Sequence, residues 1–345
     1  MAKNAIKKLS ACIMFADNSH GLGVYMRLAI LAILAAAFSC HALESECSSQ
    51  DETKVCEDAH HNEEDNFTEK KSYPKYSKNE LRLKPYEPSY LVIKSHASGS
   101  NKFTRNYTSI NAHFSFSYDF YYPKSELWKL FGSYTGEFDF YYTTRESDPV
   151  INRLNNPALH IRFADKCSWT EKLKADYIDL AIEHKSNGHT KSIDFKNLAE
   201  ANAAYQSGQE RYFDDFDMGD NYISTELKFR QSQQSFYIKL KLYPENKEEE
   251  INWGDLAGKQ VTIEDFDRWR LLYAARQKNG NQFSAEWTIG DRWFKSDSFN
   301  FDYMFNVKNA LPLYIRYHSG PLETQSNYSY PVDSIAIGIK FAPYL

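Results

Sequence analysis

Residues 333–342 read Asp-Ser-Ile-Ala-Ile-Gly-Ile-Lys-Phe-Ala, and this stretch decides the fold class. Large apolar residues stand at every second position from Ile335 to Phe341, with small or polar residues between them. Successive side chains of a β-strand point to opposite faces, so the pattern predicts a strand with one apolar face. A terminal strand of this kind is typical of the closing edge of a β-barrel.

Working back from this strand, the same short alternation recurs eleven more times between charged or Gly/Pro/Asn-containing connections. Strands of about ten residues, tilted through a bilayer, and an even strand count are typical of bacterial membrane barrels. We therefore expect an all-β, twelve-stranded antiparallel transmembrane β-barrel over residues 85–345. The eleven further predicted strands are 89–96, 109–122, 128–144, 157–166, 173–186, 221–230, 235–243, 268–276, 282–289, 297–306 and 312–318.

The composition agrees with a barrel in a membrane. The 345 residues include 25 Tyr and 23 Phe, and aromatics make up 16% of the chain, yet the mean hydropathy is −0.63. Many aromatics in a polar chain fit a barrel with an apolar outer face and a wet lumen. The net charge of −5 excludes a strongly basic nucleic-acid binder, and we expect no nucleic-acid partner.

The N-terminal part predicts export. The apolar run 28–38 is too short to span a bilayer as a helix, and a basic residue precedes it. With small residues leading to Ala42, residues 1–42 are typical of a signal peptide, whose true start is Met1 or Met26. A lipid anchor on Cys40 is the alternative that the small residues leave open.

Residues 43–84 are acidic, then Lys-rich, and poor in aliphatics, which predicts a flexible polar periplasmic segment. Cys47 and Cys56 lie nine residues apart, a spacing that suits a small disulfide loop without Cys167. The alternative is that Cys47, Cys56 and Cys167 are three unpaired thiols. The absence of any CxxC pair argues against a zinc ribbon or a thioredoxin-like site.

Two predicted connections are long, residues 187–220 and 244–267. Membrane barrels carry long loops on the cell exterior and short turns in the periplasm. Counting strands from a periplasmic N-terminus places both connections on the exterior if the fifth strand runs outward.

The end of the fifth strand holds the candidate chemistry. Its period of two places Leu180, Ile182, His184 and Ser186 on one face. The apolar face of a barrel meets lipid, so His184 and Ser186 point outward near the rim, where an imidazole is able to take the proton of a hydroxyl. Polar residues are costly on a lipid face, which marks the pair as a functional candidate.

The next strand adds a third residue. Asn221 shares a face with Ile223, Thr225 and Leu227, so it also points outward near the same rim. An Asn in that place can accept a hydrogen bond from the imidazole and fix its tautomer. The competing interpretation of the three is ordinary polar residues at a rim, since a His-x-Ser pair alone is weak. A soluble serine hydrolase is less favoured, because the chain has no Gly-x-Ser-x-Gly motif.

The longer context resembles a known family. His184-x-Ser186-Asn187-Gly188 with Asn221 is similar to the site motif of the outer-membrane phospholipase A family, the bacterial detergent-resistant phospholipases A. The resemblance covers about residues 84–345. Weaker similarities are Pro85-Tyr86-Glu87-Pro88-Ser89-Tyr90 at the first strand, Ser133-Tyr134-Thr135 in the third, and Tyr317-x-Ser319-Gly320 with Glu323 and Asn327-Tyr328 near the end.

The resemblance implies an outer-membrane enzyme that hydrolyses phospholipid acyl esters at either glycerol position (phospholipase A1/A2 and lysophospholipase), needs Ca²⁺ and acts as a homodimer. It assigns Ser186 as nucleophile, His184 as base and Asn221 as the residue that orients it. The Gly188 amide would stabilise the oxyanion together with calcium-bound water. The implied calcium ligands are the backbone carbonyl of His189, the side chain of Asp217 and Ser147 from the second subunit.

The chain departs from the family's pattern in several places. Asp217 stands where a Ser is typical, although a carboxylate is a good calcium ligand, and a solvated acidic loop is the competing interpretation. The connection before Asn221 is longer than usual. Gly136 and Glu137 follow Ser133-Tyr134-Thr135 where the family has a Gln that contacts the second subunit, which weakens the expectation of a dimer through that contact. The last residue, Leu345, is not aromatic.

Two other functions explain the aromatics and the alternation equally well. A pore for small polar solutes places its chemistry in the lumen and leaves the outward His184, Ser186 and Asn221 without a role. A structural or adhesive barrel predicts neither conductance nor hydrolysis. We expect interior residues such as Asp179 and Glu183 to form ion-pair networks and not a substrate path.

Overall fold

The computed structural model describes residues 83–96, 108–123, 126–142, 150–188, 219–244, 262–292, 296–307, 310–323 and 331–342, with the single residues 200, 203, 207 and 328. No helix in this part of the chain is long and apolar enough to cross a membrane. The elements are β1 (Leu83–Pro85), β2 (Ser89–His96), β3 (Thr108–Tyr121), β4 (Trp128–Phe140), β5 (Val150–Ala164), α1 (Ser168–Leu173), β6 (Tyr177–Ser186), β7 (Gly219–Gln231), β8 (Gln234–Leu242), the 3₁₀ helix η1 (Ile263–Asp265), β9 (Trp269–Arg276), β10 (Gln282–Ile289), β11 (Ser298–Phe305), β12 (Leu313–Gly320) and β13 (Val332–Ala342).

Strands β2 to β13 form a closed wall of twelve antiparallel strands, which confirms the predicted fold class. Each strand pairs with its neighbours in the sequence, and β13 closes the barrel against β2, from Ser334 opposite His96 to Ala342 opposite Ser89. Closure matters because a strand edge left open in lipid would carry unpaired backbone groups.

The short strand β1 was not among the predicted twelve. It pairs with β3 at residues 116–118, below the place where β2 pairs with β3 at residues 108–113. The link between β1 and β2 contains Pro88, and Pro85 ends β1; neither residue has an N–H for the ladder. This break turns Tyr86 and Glu87 into the lumen.

The outer face is apolar, as the alternation predicts. Ile335 and Phe341 expose 50% and 56% of their surface, whereas Ala336 and Lys340 between them expose 2% and 4%. A water-soluble sheet would show the opposite arrangement. Exposed apolar residues cover the outside of β2, β3, β11 and β12 as well, among them Ile93, Phe116, Phe120, Phe301 and Tyr317.

Ion pairs line the lumen and cross it. Buried pairs include Lys94 with Asp139 at 3.0 Å and Lys239 with Glu183 at 2.6 Å. One pair crosses the lumen, because Arg270 on β9 contacts Glu87 beside β2 at 2.9 Å, and these strands lie on nearly opposite sides of the wall. Charges that leave water need partners, and these ion pairs cross or line the space that a pore would keep open. The pore is therefore not favoured.

The two rims differ in the length of their connections. One rim carries the connections 97–107, 141–149, 187–218, 243–268, 290–297 and 321–331, and the other carries 122–127, 165–176, 232–233, 277–281 and 306–312. Because barrels place long loops outside the cell, we name the first the exterior rim. Both long connections noted in the sequence leave this same rim.

Three predicted strand boundaries are wrong. The predicted strand 128–144 ends at Phe140. The strand predicted as 157–166 begins earlier, at Val150. Its first part was missed because Asn152, Asn155, Asn156 and Pro157 are not typical strand residues. Asn152 has a φ of 52°, a local irregularity that the ladder accommodates beside a register shift. The predicted strand 173–186 begins at Tyr177, since residues 168–173 form helix α1. Residues 1–82 lie outside the described residues, and with them the predicted signal peptide, Cys40, Cys47 and Cys56.

Candidate active site

The end of β6 places two polar side chains on the outer surface. His184 is exposed and Ser186 is half-buried, both on the face that carries Ile182. Their neighbours in the chain point the other way, since Glu183 exposes 3% and Asn187 exposes 1%. The period of two therefore separates a lipid-facing pair from a lumen-facing pair at the exterior rim.

His184 and Asn221 are direct neighbours. They are Cα partners in the pairing of β6 with β7, and Nδ1 of His184 lies 2.9 Å from Oδ1 of Asn221. The amide oxygen only accepts, so the imidazole donates its Nδ1–H. That tautomer leaves Nε2 with the lone pair that a general base needs.

Gly188 follows Ser186 at the turn out of the strand. Its φ of 74° lies in the left-handed region, where a residue with a Cβ is strained. A Cβ placed on Gly188 would also lie 3.3 Å from Nδ2 of Asn155. Glycine thus meets both a backbone and a packing requirement, and it leaves space beside Ser186.

A buried network supports the site from the lumen side. The carboxylate of Glu183 contacts Lys239 at 2.6 Å and accepts hydrogen bonds from Tyr222 at 2.8 Å and from Ser224. Asn156 donates to the same carboxylate at 3.2 Å. These contacts join β5, β6, β7 and β8 directly behind His184 and fix the register that brings it opposite Asn221.

Asn155 was not among the site residues predicted from the sequence. In the pairing of β5 with β6 it is the Cα partner of Ser186, and its Oδ1 accepts a hydrogen bond of 2.6 Å from the hydroxyl of Tyr134. The alternation within one strand does not give its register against the next strand. The sequence alone therefore did not place Asn155 beside Ser186. A pairing of strands 157–166 and 173–186 extended toward the rim is the signal that would have found it.

An aromatic surface on β3 and β4 adjoins the site beyond Asn155. Gly136 is the Cα partner of both Asn155 and Phe114, and a Cβ on Gly136 would lie 2.4 Å from the Phe114 ring. The ring covers the glycine and stacks against Tyr134 with centroids 6.0 Å apart. No Gln-sized side chain fits at Gly136 unless Phe114 moves, so this part of the wall is apolar and smooth.

The three implied calcium ligands, His189, Asp217 and Ser147, lie outside the described residues. The nearest described residues are Gly188, Gly219 and Val150, which lie at the exterior rim at or just beyond the ends of the adjacent strands β6, β7 and β5. Within the described ranges, no cluster of three or more His, Cys, Asp or Glu side chains is arranged to hold a metal ion.

A closed wall of twelve strands, apolar outside and ion-paired inside, defines a transmembrane β-barrel of the outer-membrane class. The same fold occurs in outer membrane phospholipase A from Escherichia coli, with a TM-score of 0.57 and 14% identity over 76% of this chain and 95% of that one. An active-site mutant of the E. coli protein gives a TM-score of 0.59 at 14% identity, over 79% and 96%. The Salmonella typhi outer membrane phospholipase dimer with bound calcium gives 0.58 at 15% identity, over 78% and 96%.

At this level of identity the likeness concerns the fold. No protein-family model matches the chain, and no curated protein matches it.

Proposed function

We propose that this protein is a calcium-dependent phospholipase that hydrolyses acyl esters of phospholipids at either glycerol position, and of lysophospholipids, in the outer membrane. One observation carries the proposal. The hydrogen-bonded pair of His184 and Asn221 shares the lipid-facing surface with Ser186, where a membrane ester can reach it. The fold shared with outer membrane phospholipases supports it.

Acylation begins with attack of Ser186 Oγ on the carbonyl carbon of the ester. The hydroxyl proton passes to Nε2 of His184, and the π electrons of the C=O bond move to its oxygen, which becomes an oxyanion. Asn221 holds the imidazolium through Nδ1–H, and the Gly188 N–H stabilises the oxyanion. When the C=O bond re-forms, the C–O bond to the glycerol breaks and His184 returns its proton to the leaving oxygen.

Deacylation repeats the same chemistry with water. His184 removes a proton from a water molecule as its oxygen attacks the acyl-serine carbonyl carbon, and the C–O bond to Ser186 then breaks. The serine regains its proton from His184, and the fatty acid leaves. Exposed Phe114 and Phe116, on the wall beside Asn155, give the acyl chain an apolar surface along β3 and β4.

Calcium fits the donors implied for it. A backbone carbonyl at His189, the carboxylate of Asp217 and the hydroxyl of Ser147 from the second subunit form an all-oxygen set, which this ion prefers. When bound, the ion would supply positive charge near the developing oxyanion. Because the enzyme sits in its own substrate, we further propose that assembly into a homodimer, which brings Ser147 to the site, controls activity.

The decisive test is fatty-acid release from phospholipid in detergent with calcium. Ser186→Ala removes the nucleophile and should lower turnover by about 10⁴-fold or more. Ser95→Ala is the matched control, because Ser95 is an outward serine near the same rim on β2; it should keep full turnover. Unchanged release in folded Ser186→Ala contradicts the proposal. Crosslinking in intact and in perturbed membranes tests the dimer, and a constant monomer contradicts that part.

A further inference from the structure

Asn155 occupies the position next to the proposed nucleophile. It is the Cα partner of Ser186 across β5 and β6, and the period of two puts it on the outer face with exposed Pro157 and Leu159. Cross-strand partners on one face hold their Cβ atoms about 5 Å apart. The carboxamide of Asn155 is therefore within reach of any group bound at the Ser186 hydroxyl.

The orientation of this carboxamide is fixed by Tyr134. The phenol hydroxyl donates to Oδ1 at 2.6 Å, which leaves the NH₂ group on the side of Gly188, where Nδ2 lies 3.3 Å from the position of an added Cβ. Nδ2 of Asn155 therefore lies close to Gly188, whose backbone N–H is the other donor proposed for this site. Fixed donors that meet where negative charge develops are the usual form of an oxyanion hole.

We propose that Asn155 is a catalytic residue that donates a hydrogen bond from Nδ2 to the substrate carbonyl oxygen as it becomes an oxyanion, and that Tyr134 is the positioning residue that aims it. The inference rests on the proposed function and adds a second protein donor to the Gly188 amide. The donor strengthens its bond as charge accumulates, so its loss acts on turnover more than on substrate binding.

The test uses the purified full chain with calcium and compares Asn155→Asp with Asn155→Leu. The first keeps the shape, loses the NH₂ group and adds a negative charge; the second removes every polar atom. We expect both to lower kcat by about 10²-fold or more while KM changes by less than about threefold. Inactivation by a long-chain alkyl fluorophosphonate, whose phosphoryl oxygen takes the oxyanion's place, should slow in parallel.

Tyr134→Phe tests the positioning role in a barrel that keeps Asn155. It removes only the hydroxyl, and we expect a smaller loss, about three- to tenfold in kcat. Tyr118→Phe is its matched control, since it removes an exposed outward phenol hydroxyl from β3 without touching Asn155. Folding is checked by the shift in electrophoretic mobility on heating.

A structural cross-strand hydrogen bond would instead lower stability and leave kcat unchanged. If both folded Asn155 variants retain kcat within about threefold while Ser186→Ala is inactive, this inference fails and the proposed function stands. If Ser186→Ala itself remains active, the proposed function fails and the inference fails with it.

Discussion

Two groups of a serine, a histidine and a third polar residue lie on opposite faces of the same barrel wall. On the lumen side, Ser133 Oγ lies 2.8 Å from His160 Nε2, and His160 Nδ1 lies 3.1 Å from Asp179 Oδ1. On the lipid side, Ser186 stands beside His184, which bonds Asn221 at 2.9 Å. As a set of hydrogen bonds, the lumen group looks more like a catalytic triad.

The surroundings of the two groups nevertheless favour the lipid-side group as the catalytic one. His160 exposes 1% of its surface and stacks on Phe131 with ring centroids 4.4 Å apart, with Tyr86 against it at 5.1 Å. Asp179 also pairs with Arg162, which uses the carboxylate as a structural partner. The buried group ties β4, β5 and β6 together, whereas the outward group faces lipid, the phase that holds the proposed substrate. A triad is recognised by what can reach it as well as by its distances.

The largest expected contrast is between the two histidines. His184→Ala should lower phospholipid turnover by about 10⁴-fold, because the proposed base is lost. His160→Ala should keep turnover within about threefold and lower the free energy of unfolding by about 2 to 3 kcal/mol, from lost packing against Phe131 and the lost hydrogen bond to Asp179 Oδ1. Turnover is measured in detergent with calcium and unfolding in urea. Added imidazole should partly restore His184→Ala but not alter His160→Ala; a reversed pattern would move the active site to the lumen.

Calcium removal gives the next contrast. Chelation should lower turnover by about 10²-fold or more, since the proposed calcium ion would supply positive charge at the lipid-side site, and magnesium should restore turnover poorly. The lumen network holds its own ion pairs, so the unfolding midpoint should stay unchanged. Asp217→Ala should shift the calcium dependence of turnover to higher concentration. Full activity in chelator would contradict the proposed calcium requirement.

Asn221 and Asp179, the third residues of the two groups, should also differ in the effect of their replacement. Asn221→Ala should lower kcat by about tenfold to 10²-fold, as the imidazole loses the acceptor that fixes its tautomer. Asp179→Asn should leave kcat unaltered and cost about 3 kcal/mol of stability, because Arg162 loses its charged partner. Equal loss of kcat in the two variants would mean that the two groups are coupled.

The sequence predicts the lipid-side group because the alternation within each strand is enough to place its residues on the outer face. The period of two places His184 and Ser186 on one face, and Asn221 opens the next strand on the same face, so the short path along the chain brings all three together. The twelve strands follow from the same alternation, which is strong wherever one face meets lipid, as from Ile335 to Phe341.

The rest needs the register between strands. The lumen group joins residues 27 and 19 positions apart, and Asn155 meets Ser186 only through the pairing of β5 with β6. The start of β5 was hidden because Asn and Pro residues suppress its strand pattern. Helix α1 was missed because its six residues are too few to show a helical period.

The smallest expected effect belongs to Ser133. Ser133→Ala removes the hydroxyl that bonds His160 and should cost about 1 kcal/mol of stability, with no change in turnover beyond about threefold. Urea unfolding and the lipase assay are run on the same preparation. A fall in turnover as large as that of Ser186→Ala would contradict a purely structural role for the lumen group.

The most direct test asks which serine is the nucleophile. The wild-type barrel is treated with a long-chain alkyl fluorophosphonate in detergent with calcium, digested, and the adduct located by mass spectrometry. We expect one modified residue, Ser186, in the peptide that begins after Lys185, and no adduct when His184 is replaced by Ala. An adduct on Ser133, or an active enzyme whose Ser186 stays unmodified while another serine reacts, would contradict it.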